Sequence, residues 1–253
     1  MKLERKRKYL QIAFNTTLEE ALKIIEILPI DERIILEVGT PLIKIYGMEA
    51  ISEIKKFWLF KLGGVLPDYL KVRKTKNVFL IASYERKLFL KAQKKLPFLP
   101  YVVADMKCMD RAEREVEIAK DAGADAITVL GQASLETIKT FIKECKRQNL
   151  DSMIDMMNVD FPLRVLRELQ DLPDVVLLHR GVDEEKEKEL PFFEIQRIKN
   201  FYDIMVSIAG GERLEDVRSA YFNEADIVVL WKVFSEKDPF LEEKIKKFLR
   251  EVK

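Results

Sequence analysis

The sequence predicts one α/β domain built as a closed barrel of parallel strands, and three observations carry that reading. Short β-rich apolar runs alternate with amphipathic stretches along the chain. The strand runs are apolar at nearly every residue, as expected of parallel strands covered on both faces. Eight strand–helix units fit within 253 residues, which favours a TIM (β/α)8 barrel over an open doubly wound sheet.

The elements follow in order. The first strand is 10–15 (LQIAFN), and Thr17 to Leu28 then carries apolar residues three and four apart. Strand 34–40 (IILEVGT) leads to the helical pattern Met48 to Trp58. Strand 101–107 is followed by a helix from Arg111 to Ala122, where Gly123 supplies a stop before strand 126–131. Ser134 to Gln148 then reads as helix, 151–157 as strand, and Pro162 to Leu169 as helix. Strands 175–180, 203–209 and 226–232 complete the count, with a helix from Arg213 to Phe222 between the last two and a charged helix over 237–252.

Residues 60–98 exceed what eight units require, so they are expected to be an insertion between the second helix and the third strand. The segment holds Gly63-Gly64, a basic patch (Lys71, Arg73, Lys74, Lys76), a strand-like run NVFLIAS and a basic amphipathic helix from Tyr84 to Leu96. Joining a helix to the next strand, it should emerge at the N-terminal face of the barrel as a packing or oligomer-contact element. NVFLIAS is an alternative barrel strand.

Composition narrows the function. Lys plus Arg number 44 against 43 Asp plus Glu, a net charge of +1, so no bulk field calls for nucleic acid. At 48% hydrophobic and 34% charged the chain is neither disordered nor fibrous. The apolar run after the basic start is too short for a signal-peptide core or a membrane span, so a cytoplasmic protein is expected. Cys108 and Cys145 make no disulfide framework and lack zinc spacing.

The chemistry concentrates at predicted strand ends, where barrels of this kind carry their active sites. Asp105 and Lys107, two apart on a strand, should project to one side, with Asp110 in the following loop. Glu37, Asp155 and His179, the chain's one histidine, lie at corresponding depths on the second, fifth and sixth strands. Five ionisable groups gathered there outweigh the ordinary reading of each as a surface ion pair or a structural histidine.

The pattern Asp105-x-Lys107-x-x-Asp110, with Glu37 in EVGTP, Asp155 in IDMMNV and His179-Arg180-Gly181, resembles the orotidine monophosphate decarboxylase superfamily. Within it the chain looks most like the 3-hexulose-6-phosphate synthases and 3-keto-L-gulonate-6-phosphate decarboxylases. Glu37 stands where the orotidine decarboxylases carry Lys, which favours the metal-dependent sugar-phosphate branch. The resemblance implies a homodimer with active sites at the interface and Asp110 contributed across it. It implies Mg²⁺ held by Glu37 and Asp105, and Lys107 stabilising an enediolate. His179 would relay a proton or bond the carbonyl, with Asp155 as its partner. The implied reaction joins formaldehyde to ribulose 5-phosphate, and Val182-Asp183 after the His179-Arg180-Gly181 triplet is closer to the synthases than to the decarboxylases.

Three positions depart from that pattern. Asn15 stands where the family has an Asp that contacts substrate hydroxyls. Gly210 and Gly211 supply one of the family's two phosphate-binding turns, whereas Trp231 and Lys232 replace the Gly-containing second. Arg111-Ala112 replaces a small Ala-Gly pair. These departures keep two alternatives in view: a decarboxylase acting on keto-gulonate phosphate or orotidine monophosphate, and a divergent relative that uses the barrel as a binding or assembly module.

Overall fold

Eight parallel strands close into a barrel in sequence order, β8 returning to pair with β1. The computed structural model describes residues 1–74, 78–180, 191–210 and 213–252, without the side chains of 78–80. The strands are β1 (Tyr9–Phe14), β2 (Ile34–Val38), β3 (Val102–Cys108), β4 (Ala126–Leu130), β5 (Asp151–Asp155), β6 (Val175–His179), β7 (Met205–Ala209) and β8 (Ile227–Leu230). The helices are α1 (Leu18–Ile27), α2 (Thr40–Tyr46), α3 (Met48–Leu62), α4 (Leu66–Arg73), α5 (Val78–Gln93), α6 (Ala112–Asp121), α7 (Leu135–Gln148), α8 (Pro162–Arg167), α9 (Phe192–Phe201), α10 (Leu214–Phe222) and α11 (Leu241–Glu251).

Local chemistry sets the helix ends. Thr17 and Ser134 cap α1 and α7, each accepting a backbone N–H from three residues on at 3.1 Å. Asn149 ends α7 in the left-handed conformation, φ 56°.

Alternation along the strands separates two interiors. On β1, Leu10, Ile12 and Phe14 face the helices and join the large core between sheet and helix layer. Tyr9, Gln11 and Ala13 alternate with them and face the barrel axis. The lowest inward layer is apolar, with Tyr9, Ile35, Val103, Met153 and Met205 sealed by Leu3 and Tyr101. Below it, Asp125, Asp174 and Asp226 precede β4, β6 and β8 and accept the backbone N–H groups of Val102, Ser152 and Val206 at 2.8–2.9 Å. Lys2 pairs with Asp125 at 2.9 Å, and Lys8 and Lys199 pair with Asp226 at 3.1 and 2.7 Å.

Several expectations need correction. NVFLIAS is not a strand: from Val78 the run is helical and continues into the expected basic helix as one 16-residue α5, while Asn77 lies outside the described residues. A short apolar run does not distinguish strand from helix, and here Leu88 and Ala92, four apart, are buried and make the run one face of a longer helix. The segment from Leu66 to Gln93 therefore forms two helices. Tyr69 of α4 packs edge-on against Phe57 and Phe60 of α3, and Glu85 of α5 accepts bonds from Tyr69 Oη and Lys56 Nζ at 3.1 and 3.0 Å. Helices α2 and α9 were not foreseen. Strand β8 ends at Leu230, so Trp231 and Lys232 lie beyond it rather than within it.

Candidate active site

Above the apolar layer several inward positions are polar, which an apolar barrel would not require. Gln11, Glu37, Asp105, Thr128, Asp155 and Ser207 are all buried. Burying such groups costs free energy unless each finds a partner.

Strand β3 is irregular where the chemistry sits. Ala104 pairs with Ile127, but Cys108 pairs with Val129, so four residues of β3 span two of β4. This bulge places Lys107 at φ 47°, a left-handed conformation uncommon for a side chain of its size. Its backbone N–H donates to Thr128 Oγ1 at 2.9 Å instead of to a ladder carbonyl. Asp105 and Lys107 do share a side, but through this strained turn rather than through regular pleating. Strain of this kind costs roughly 1–3 kcal/mol and is held by surrounding contacts.

The side chains converge. Lys107 Nζ lies 2.7 Å from Asp155 Oδ2 and 3.1 Å from Asp105 Oδ2. His179 Nδ1 lies 2.9 Å from the same Asp155 Oδ2, whose other oxygen accepts the Met157 N–H at 3.0 Å. Thr128 and Thr40 hydroxyls lie 2.8 Å from the two oxygens of Asp105. Glu37 accepts a bond from Gln11 Nε2, while Gln11 Oε1 and Ser207 Oγ are buried without a partner.

Electrostatics follow from this packing. Burial, with the neighbouring Asp105 charge second, pushes the Glu37 carboxyl up to about 7. Burial works against charge on Asp155, yet the bond and charge of His179 and then Lys107 hold it below the usual carboxylate value. Burial likewise opposes the His179 imidazolium, but Asp155 outweighs it and raises the ring above 6.5. Burial lowers and Asp105 and Asp155 more strongly raise Lys107, which stays an ammonium. Both oxygens of Asp155 are engaged, so it orients Lys107 and His179 and leaves His179 Nε2 as the ring atom directed elsewhere.

The donor set suits a hard divalent cation. Glu37 and Asp105 are both buried carboxylates, burial first and then the Asp105 charge raising Glu37, and the unpartnered Gln11 carbonyl oxygen lies on the residue bonded to Glu37. Among the described residues no three His, Cys, Asp or Glu groups gather to hold a metal unaided. Two carboxylates with water and substrate completing the shell is the arrangement Mg²⁺ usually takes.

Other expected site residues fall elsewhere. Asp110 and Arg111 are exposed at the start of α6, beside Ser134 and Thr137, and Asp110 makes no contact with the cluster within one chain. Asn15 is half-buried; its Oδ1 lies 1.9 Å from where a Cβ on Gly39 would stand, so only glycine admits it there. Gly210 follows β7 with φ 114°. Gly211 and the Gly181, Val182 and Asp183 positions lie outside the described residues. Lys232 is exposed, its Nζ 5.1 Å from the Trp231 ring centroid. Sequence reasoning missed Gln11, Thr40 and Thr128; inward polar residues in apolar strands were the available signal.

Residues 66–230 match the family described as Orotidine 5'-phosphate decarboxylase / HUMPS family. The chain is 33% identical over 229 residues to the bifunctional enzyme Fae/Hps of Methanothrix thermoacetophila, covering 90% of this chain and 48% of that one. It is 34% identical over 249 residues to the enzyme of the same name from Archaeoglobus fulgidus, covering 97% and 53%. The chain thus spans about half the length of the curated relatives it matches. Among solved structures, the fold is similar to 3-hexulose-6-phosphate synthase from Salmonella typhimurium, with TM-score 0.72, 24% identity and coverage of 96% and 98%. It is also similar to KGPDC from Streptococcus mutans in complex with D-R5P, with TM-score 0.71, 15% identity and coverage of 97% of each chain. No helix among the described residues is long and apolar enough to cross a membrane.

Proposed function

The chain belongs to the orotidine 5'-phosphate decarboxylase / HUMPS family, and we propose that within it the protein is a cytoplasmic aldehyde-lyase of the hexulose-6-phosphate synthase type. It would condense formaldehyde with ribulose 5-phosphate, reversibly, through an enediolate. The observation that carries this reading is Lys107, held on a bulge between Asp105 and Asp155 with His179 on the same Asp155 oxygen. A fixed ammonium in a water-poor site stabilises negative charge where an enediolate develops it.

His179 is the proton-moving group. In its neutral form Nε2 accepts the proton from the carbon next to the ketose carbonyl, and Asp155 stabilises the imidazolium that results. The raised pKa makes His179 a stronger base than free imidazole. The electron pair released then attacks the aldehyde carbon, and a proton delivered to the new alkoxide completes the bond. Asp105 anchors Lys107 from the other side, and Thr40 and Thr128 hold Asp105 in place. Glu37 and Asp105 would hold Mg²⁺, which when bound supplies Lewis-acid polarisation of the substrate oxygens. Gly210, Gly211 and Lys232 would meet the phosphate, Asn15 a hydroxyl. Asp110, exposed in one chain, fits the expectation of a homodimer in which it serves the partner's site.

The test is Mg²⁺-dependent release of formaldehyde from hexulose 6-phosphate by the full chain, measured beside 3-keto-L-gulonate 6-phosphate and orotidine monophosphate. Formaldehyde release is expected. Turnover of either acid with release of CO₂ alone would replace the synthase reading with the decarboxylase one, since the same cluster would stabilise the negative charge left on carbon by lost CO₂.

A further inference from the structure

The barrel mouth, formed by the C-terminal ends of the strands, divides into two unlike halves. The charged groups come from β2, β3, β5 and β6. The rest of the ring offers Ala13, Ala209 and Val229, which cluster with Leu177, and Trp231 packs on this apolar patch. Trp231 follows directly after β8, half-buried, and its packing against Ala13, Ala209 and Val229 sets its indole on the β7–β8–β1 side of the mouth. The strand register joins the two halves, with Ala13 paired to Glu37 and Ala209 paired to His179. The β7–β8–β1 arc on which the indole packs is therefore bordered by β2 and β6, which carry Glu37 and His179.

We propose that Trp231 is a binding residue whose indole face forms the wall for the carbon chain of a sugar phosphate, while the carbonyl end of that ligand reaches Lys107 and His179. The proposal rests on the aldehyde-lyase reading and names how its substrate is held. Two alanines beneath the ring leave it room to lie flat, and an aromatic face offers the C–H side of a polyol a large contact without competing for its hydroxyls. The adjacent Lys232 ammonium stands over the indole ring, 5.1 Å from its centroid, and so brings positive charge onto that wall, as an anionic terminus requires. Because Trp231 does not meet the reacting atoms, it contributes equally to ground and transition states, and its loss falls on KM.

The chain provides its own reporter. It has two tryptophans, and the other, Trp58, is fully buried at 0% exposure. Ribulose 5-phosphate with Mg²⁺ is titrated into the full chain, reading tryptophan emission and calorimetric heat in parallel, for wild type, Trp231→Phe and Trp231→Ala. The expected result is a saturable emission change in wild type with the calorimetric Kd, absent in Trp231→Phe. Trp231→Ala should raise KM about tenfold or more with kcat within about threefold, whereas Trp231→Phe, keeping a ring, should stay within about threefold on both. Calorimetric binding with unchanged emission, or an unchanged or lower KM in Trp231→Ala, overturns the wall and leaves the enzyme reading intact. No calorimetric binding by wild type overturns the enzyme reading and the wall with it.

Discussion

Replacing Asp155 by Asn tests the electrostatic centre of the site most directly. Asp155 is wholly buried, and one of its oxygens serves both Lys107 at 2.7 Å and His179 at 2.9 Å. Asn keeps the shape but leaves the lysine without its shortest counter-ion contact, and breaking a buried pair in this way costs about 3–5 kcal/mol. The pH dependence fixes the origin of that cost. Asp155 is held below 3.8, so its share of stability is present above that pH and is lost as pH falls through the lower folded value. His179 is raised above 6.5, so its share is present below 6.5 and is lost as pH rises through the raised value. Wild-type stability should therefore decline as pH climbs past 6.5, and in Asp155→Asn that part of the decline should vanish. Urea unfolding of both proteins between about pH 5 and 9 measures the difference. The same substitution should lower kcat by about 10³–10⁴-fold, as when an orienting carboxylate is removed from a catalytic histidine. It should also move the acid limb of the pH–rate profile to lower pH. A variant with the wild-type pH course of stability and an unmoved acid limb would refute the assignment of His179 and Asp155 as a working pair.

Further expectations follow from single contacts. Lys107→Gly should abolish turnover yet exceed Lys107→Ala in stability by about 1 kcal/mol, because glycine relieves the left-handed backbone of the bulge; thermal unfolding compares the two. Mg²⁺ affinity, measured by calorimetry, should fall as pH drops through about 7, where Glu37 takes up a proton, and Glu37→Gln should remove that dependence. Gly39→Ala would set a Cβ 2.8 Å from the Phe14 carbonyl and onto the Asn15 amide, so it should cost about 1–3 kcal/mol in urea unfolding and weaken substrate binding through displaced Asn15.

How much of this was legible in the sequence depended on which force dominated each element. The strands announced themselves because both faces are buried, and all eight appear within a few residues of their expected places. Glu37, Asp105, Lys107, Asp155 and His179 were legible as a group for the complementary reason: ionisable residues ending apolar strands have few alternatives to a shared site. The bulge was not legible, since nothing in Asp-Met-Lys distinguishes a regular pleat from a left-handed turn that Thr128 holds. The helical fate of NVFLIAS depended on packing partners on α3 and α4 that sequence proximity does not reveal. Asp110 is exposed in the single chain, and its expected place across a subunit interface is one that spacing along one chain does not report.

The sealed lower layer of the barrel makes this protein a vessel with one opening. Leu3, Tyr9 and Tyr101 close the far end as a buried apolar layer, with aspartate–lysine pairs beneath them. Reactants, product and solvent must all use the end that Trp231 overhangs. In the proposed reaction a large ligand resting there would act as a stopper on whatever lies below it, so a small aldehyde would have to arrive before the door is filled or through the space the larger molecule leaves. Such a route would impose an order of binding on the proposed reaction, and product-inhibition patterns would read it.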